Sequence, residues 1–288
     1  MTNFLDVRAL SGGGGLSNAV QLKTGTSLSD YQDLSPQAFA SFIYGQNVLI
    51  GTHGFNVNRG DGIEHLSYWE SLLTLPDASV FLGLLWPGDS ESLYALSYPS
   101  EPKNATGAGN MVADFVNQNF GNAASISFVS HSLGARVILQ AISGVNRQVR
   151  RAILMAGAIG DNCLTAEFAM VPTKVDEISV LASKEDDVLR WAFPIGDFAA
   201  EILDHTHPWW ESALGRFGPT PIPANFQPPD QIPANWNFGH GNYLQNQPLA
   251  PGPIPPPTDV PEVGDCPLDG ADGWQEAFSA AFVSTRFR

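Results

Sequence analysis

Ile126-Ser127-Phe128-Val129-Ser130-His131-Ser132-Leu133-Gly134-Ala135-Arg136, ISFVSHSLGAR, sets a short apolar run against a turn of small and polar residues. Beyond it, Ala135 to Ile142 has the spacing of a helix with one apolar face, so the stretch reads as strand, tight turn, helix. Ser130 to Gly134 fits the pattern G-x-S-x-G with serine in the first small slot. A turn this sharp strains its central residue and lifts its hydroxyl above a sheet, which only small flanking residues allow. Ser130 and Gly134 meet that demand, and the N–H of Leu133 falls at a helix N-terminus, where unsatisfied donors favour an oxyanion. By average residue usage such a pattern arises by chance in roughly one chain in five of this length, so its meaning rests on what surrounds it.

Four further apolar runs share the character of ISFV: Asn47 to Gly51, Ser79 to Trp86, Arg151 to Met155 and Glu177 to Ala182. Apolar runs that do not alternate with polar residues indicate strands buried on both faces of a parallel sheet. Helical spacing lies between them at Gly62 to Leu75, Thr106 to Phe120 and Ser132 to Asn146. The expected fold class is therefore α/β, a doubly wound and mostly parallel sheet. Ligands of such sheets bind beyond the carboxyl ends of the strands. Leu5 to Leu10 and Ala19 to Leu22 are expected as two antiparallel edge strands flanking a glycine-rich connector, Ser11 to Gly15.

The chain is expected to form one domain over residues 1–288. Within it, residues 194–261 are dense in proline yet carry Trp209, Trp210, Phe217, Phe226, Trp236 and Phe238, too much aromatic surface for a disordered linker. The expectation is an ordered, proline-stiffened lid or rim, followed by a closing helix from Trp274 to Val283.

With a formal charge of −15 and Arg150-Arg151 as the close basic pair, the sequence lacks the basic stripe that phosphate backbones require, so nucleic acid is not an expected partner. Apolar runs fall well short of the ~18 residues of a membrane span. Met1 to Gly15 lacks a basic region followed by an apolar one; a cytoplasmic location is expected, with secretion after removal of a leader left open. Cys163 and Cys266 allow one disulfide or two free thiols, neither in a CxxC. Asp204-His205-Thr206-His207 resembles a metal-ligand cluster but has no third histidine or cysteine at a suitable spacing, so no metal and no cofactor are expected.

Five segments occur in order, the first four at predicted strand ends: His53-Gly54-Phe55-Asn56, Trp86-Pro87, the Ser130 to Gly134 turn, Ser183-x-x-Asp186-x-x-Leu189, and Gly239-His240. In this the chain resembles the α/β-hydrolase superfamily, and within it a bacterial esterase/lipase-like subgroup of largely unassigned substrate. The likeness runs from about residue 47 to 242; residues 1–35 and most of the proline-rich segment fall outside it.

That resemblance implies a serine hydrolase acting on small-molecule or lipid-like carboxylic esters. A serine hydroxyl needs a base to take its proton, an acid to orient the base, and donors for the oxyanion. Ser132 is the implied nucleophile, and the superfamily's order of serine, acid, histidine makes His240 the base, with His205 and His207 as rivals. Asp186 is favoured as the acid over Asp187 and Asp161. The N–H groups of Phe55 and Leu133 are the implied oxyanion donors; Gly54 suits a backbone that must approach substrate closely. His53 is read as bracing its own loop, and His131 as packed or bonded locally. Trp86, Trp191, Trp209, Trp210 and Trp236 are candidates for an acyl pocket. The same constellation serves amidases, peptidases and thioesterases, and a non-catalytic binding scaffold is the rival of another class. Oligomeric state has no signature in the sequence.

Overall fold

The computed structural model describes residues 1–9, 15–89, 101–190, 212–227, 230–244 and 274–288. The chain runs β1 (Thr2–Arg8), β2 (Leu16–Gly25), β3 (Gln32–Asp33), α1 (Pro36–Ile43), β4 (Asn47–Thr52), α2 (Arg59–Leu72), β5 (Ser79–Leu85), α3 (Glu101–Asn119), β6 (Ser125–His131), α4 (Gly134–Gly144), β7 (Val149–Met155), β8 (Val175–Ser183), β9 (Asp230–Ile232) and α5 (Trp274–Phe287), with short helical turns between. The five apolar runs become β4 to β8, and all of them lie side by side in one mostly parallel sheet, the α/β architecture expected.

Strand order is β3-β2-β1-β5-β4-β6-β7-β8-β9, with β2 antiparallel to both of its neighbours. The order contains the feature that locates the site. From β4 the chain crosses through α2 to β5 on one side, then returns through α3 to β6 on the other side of β4. A reversal of this kind sends the crossover helices to opposite faces and opens a crevice at the carboxyl ends of the strands between them. Here those ends are Thr52 and His131, and the paired residues Thr52 and Ser130 bring the two following loops together.

Burial explains why these runs are strands. Val48, Leu49, Ile50, Phe81, Leu82, Ile126, Phe128, Ile153, Leu154 and Val180 are all buried, since helices cover both sheet faces. On one face α3 packs against α4, and Phe39 of α1 meets Phe115 and Phe120 at 5.7 and 5.6 Å between ring centroids. On the other, α2 packs against α5, where the Thr74 N–H donates to Ser284 Oγ at 2.9 Å. In α4 the apolar stripe Val137, Ile138, Ala141 and Ile142 is buried, whereas Gln140 donates to Asn110 at 2.7 Å on the outer side.

Two expectations need correction. The first strand is not an edge: β1 pairs in parallel with β5 through Phe4, Leu5 and Asp6, and the edge passes to β2 and β3. The cause lies in the burial of Phe4, Leu5 and Val7 on the two faces of β1, which an edge strand would leave half exposed. The second concerns the proline-rich segment, part of which belongs to the sheet itself, because β9 pairs with β8 from Leu181↔Asp230 to Ser183↔Ile232. The glycine-rich connector, Trp191, Trp209, Trp210, the Asp204 to His207 cluster and Cys266 lie outside the described residues. No described helix is long and apolar enough to cross a membrane, and no cluster of potential metal ligands occurs among the described residues.

Candidate active site

Ser132 directly follows β6 with φ +55°, a left-handed conformation uncommon for a residue with a side chain. Three contacts hold it there. Its N–H donates to Met155 O at 3.0 Å, and its carbonyl accepts from Ala135 N and Ala158 N at 3.0 and 3.1 Å. The turn is packed to its limit: a Cβ at Gly134 would come within 2.5 Å of His53 O, and one at Gly54 within 2.7 Å of Ser132 Cβ. Gly134 and Gly54 are thus sterically required, and the cost of the strained φ is met by the surrounding hydrogen bonds.

The Ser132 hydroxyl donates to His240 Nε2 at 2.7 Å. The other ring nitrogen, Nδ1, carries its proton to Asp186 Oδ2, also at 2.7 Å. His240 sits in a short helical turn, His240–Tyr243, whose entry is held by Gly239 N–H donating to Asn242 Oδ1 at 2.7 Å. Phe238 and Tyr243 beneath this turn are fully buried and meet edge to face at 4.7 Å. Burial and the Asp186 charge push the Tyr243 phenol well above its ordinary value, so Tyr243 is a neutral wall beside the carboxylate.

Asp186 follows β8 and is fully buried, whereas Asp187 is exposed. Its Oδ1 accepts the Leu189 N–H at 2.9 Å, so it caps the helical turn that follows while Oδ2 faces His240. The spacing S-x-x-D-x-x-L is this cap written in sequence. Asp161 lies in the loop after β7 and joins its backbone to Ser212 and Thr220.

At the mouth of the crevice α4 begins at Leu133 without a side-chain cap, and among the described residues the Leu133 N–H has no backbone acceptor. An uncapped helix start presents donors and a partial positive charge to an anion. Phe55 follows β4 in the facing loop and is half-buried. That loop is braced from behind by His53, which is 1% exposed. The His53 Nδ1–H donates to Gly54 O at 2.9 Å, Nε2 accepts from Trp86 N–H at 3.4 Å, and Trp86 Nε1–H returns to His53 O at 2.9 Å. Trp86, fully buried, is therefore a structural partner of His53; Trp236 packs against Trp274 and Phe278, 5.6 and 5.2 Å away. Arg8 adds a second brace, donating to Trp86 O at 2.8 Å and Val57 O at 3.1 Å and pairing with Asp89. Behind it, fully buried Asp6 accepts from Arg8 N–H, Tyr31 Oη and Arg59 Nε at 2.8, 3.1 and 3.0 Å.

Burial lowers His53 to about 3, which matches a ring committed to one proton and two partners. In the unfolded chain the same residue binds a proton below the ordinary histidine value, so native stability falls as pH drops through the interval between the two. For His53 the slope is about 1.4 kcal/mol per pH unit between ~6.5 and ~3. Urea unfolding of wild type and His53→Gln at pH 7 and pH 5 should show a smaller acid loss in the variant by that slope. Equal losses would mean that His53 is protonated in the native state.

His131, read from the sequence as packed or bonded locally, instead reaches across to the His240 loop. Its Nε2 lies 2.8 Å from the carbonyl oxygen of His240, 109 residues away, and the two rings are 5.0 Å apart. Residues that sequence reasoning did not assign to the site are His131 in this bond, Asn242 and Arg8. Arg8 and Asn242 carry no motif of their own. His131 sits in the serine motif itself, but its partner lies 109 residues away in a loop that carries no local signal.

A mostly parallel α/β sheet, nine-stranded among the described residues, with a strained serine at its switch point defines an α/β hydrolase fold. Residues 37–198 match the family described as alpha/beta hydrolase of unknown function (DUF900), and the chain belongs to that family. No curated protein matches it in sequence. Among solved structures it is similar to esterase PE8, at 16% identity over 54% of this chain and 79% of that one, TM-score 0.34. It is also similar to Thermogutta terrifontis esterase 2, at 10% identity over 80% and 83%, TM-score 0.36. Porphyromonas gingivalis dipeptidyl peptidase 4 matches at 11% identity over 78% of this chain and 33% of that chain, TM-score 0.35. Likeness of this extent attaches no substrate to the present chain.

Proposed function

We propose that this protein is a serine hydrolase that cleaves carboxylic esters through an acyl-enzyme. The observation that carries the reading is the continuous line Ser132 Oγ, His240 Nε2, His240 Nδ1, Asp186 Oδ2, joined by two 2.7 Å hydrogen bonds at the strained residue that follows β6. His240 takes the hydroxyl proton as Ser132 Oγ attacks the ester carbonyl, and the charged carbonyl oxygen is held by the N–H groups of Leu133 and Phe55. Collapse of the tetrahedral species breaks the ester C–O bond, and His240 returns the proton to the leaving alcohol. Water then repeats the attack on the acyl group with the same base, freeing Ser132 and a carboxylic acid. Fully buried Asp186 holds the imidazole in the tautomer with the proton on Nδ1 and stabilises its charged form. None of these steps asks for a metal or cofactor.

Residues 1–288 are read as one domain to which the described parts of residues 194–261 contribute a strand of the sheet and the His240 turn beside the crevice. Turnover of p-nitrophenyl esters of short and long acyl chains, set beside thioester and peptide panels, tests the substrate class. Ester turnover well above the other two is expected. Peptide or thioester turnover exceeding that of every ester would reassign the substrate while keeping the same residues, and no turnover in any panel would favour the binding scaffold.

A further inference from the structure

We propose that His131, the residue before the nucleophile, is a positioning residue that fixes the base by holding the main-chain carbonyl of His240. The inference rests on the hydrolase reading above and adds a part to its machinery. A carbonyl oxygen can only accept, so the 2.8 Å contact requires the proton of His131 on Nε2 and leaves Nδ1 bare. Nδ1 faces the Gly54 loop, where a Cβ built on Gly54 would lie 3.3 Å from it. Packing around the ring lowers His131 to about 3. A neutral His131 matters for charge as well as for hydrogen bonding: a second imidazolium with its ring 5.0 Å from that of His240 would oppose the positive charge His240 must carry in the transition state.

The arrangement solves a mechanical problem in this fold. His240 lies on a short turn between two glycines, paired to no strand, and has to meet a serine 108 residues away. Two consecutive residues at the end of β6 now grip it at both ends, Ser132 at the ring and His131 at the backbone. Side chains of neighbouring strand residues ordinarily point to opposite faces, and the positive φ of Ser132 is what lets both reach the same loop. The ring of Tyr243, in the same turn as His240, lies 5.7 Å from that of His131. A base displaced by about 1 Å can cost ~10²-fold in rate, which sets the size of effect expected from losing the contact.

The test compares His131→Gln with His131→Asn, two amides that differ in reach. A glutamine amide nitrogen extends about as far as Nε2, whereas that of asparagine stops near the position of Nδ1. With folding checked by urea unfolding, His131→Asn should lose ~10²-fold in kcat on p-nitrophenyl acetate with KM nearly unchanged, and His131→Gln should recover most of it. A second readout does not depend on ester turnover: the downfield proton NMR signal of His240 Nδ1–H, held against Asp186, should persist in wild type and His131→Gln and broaden in His131→Asn. Equal kcat and equal signals in the two variants would overturn the proposal. A wild-type protein without ester turnover but with the signal lost only in His131→Asn would refute the ester reading and leave the clamp standing.

Discussion

Asp186→Asn is expected to lower ester turnover about 10⁴-fold without unfolding the protein, the scale reached when an orienting carboxylate is neutralised. The geometry says why the loss should be so large. One carboxylate oxygen caps the Leu189 N–H at 2.9 Å and the other receives the His240 Nδ1 proton at 2.7 Å. An asparagine can keep the cap through its carbonyl oxygen, but it then turns an NH2 towards His240. The imidazole must move its proton to Nε2 to accept that donor, and the nitrogen facing Ser132 ceases to be a base. The helical turn survives and the relay is reversed. Asp187→Asn, at an exposed position, and Asp161→Asn, in the preceding loop, should stay close to wild type in steady-state assays. A severe loss confined to Asp161→Asn would move the acid one strand earlier, and near-normal turnover in Asp186→Asn would refute its role.

His240→Ala should lose at least ~10³-fold in kcat, because removing any member of such a relay leaves only the catalysis due to binding and the oxyanion donors. The fold should tolerate the change. The His240 side chain is 15% exposed, and the turn beneath it is held by Phe238, Tyr243 and the Asn242 cap, none of which the substitution removes. His205→Ala and His207→Ala should retain activity. Retained activity in His240→Ala, with loss in either of the others, would place the base in the proline-rich segment.

How far the sequence could be read depended on what each residue's neighbours had to supply. The central positions of strands β4 to β8 are buried on both faces and are apolar or small, with charged residues only near the strand starts, so the pattern is written in five apolar runs. The serine turn was legible for a related reason: Gly134 and Gly54 have no room for a Cβ. Asp186 was legible because a cap three residues before Leu189 leaves a spacing. Strand β9 was not, since three residues flanked by prolines carry no period, and its pairing partner at Leu181 to Ser183 lies about fifty residues earlier. The interior place of β1 was missed because antiparallel pairing with β2 is local, whereas its parallel pairing with β5 is set by a crossing of some eighty residues. His131 was misplaced for a conformational reason. Side chains of adjacent strand residues ordinarily diverge, whereas here the residue after the strand has a positive φ and both His131 and Ser132 meet the His240 loop.

Whether Ser132 Oγ is the nucleophile of a covalent pathway can be measured without any natural substrate. The folded protein is treated with a fluorophosphonate probe, and the adduct is located by intact mass and peptide mapping. The account predicts a single adduct on Ser132, absent in Ser132→Ala and strongly slowed in His240→Ala. A folded wild-type protein that takes no label, or a label mapping to Ser130 two residues earlier in the same turn, would contradict it.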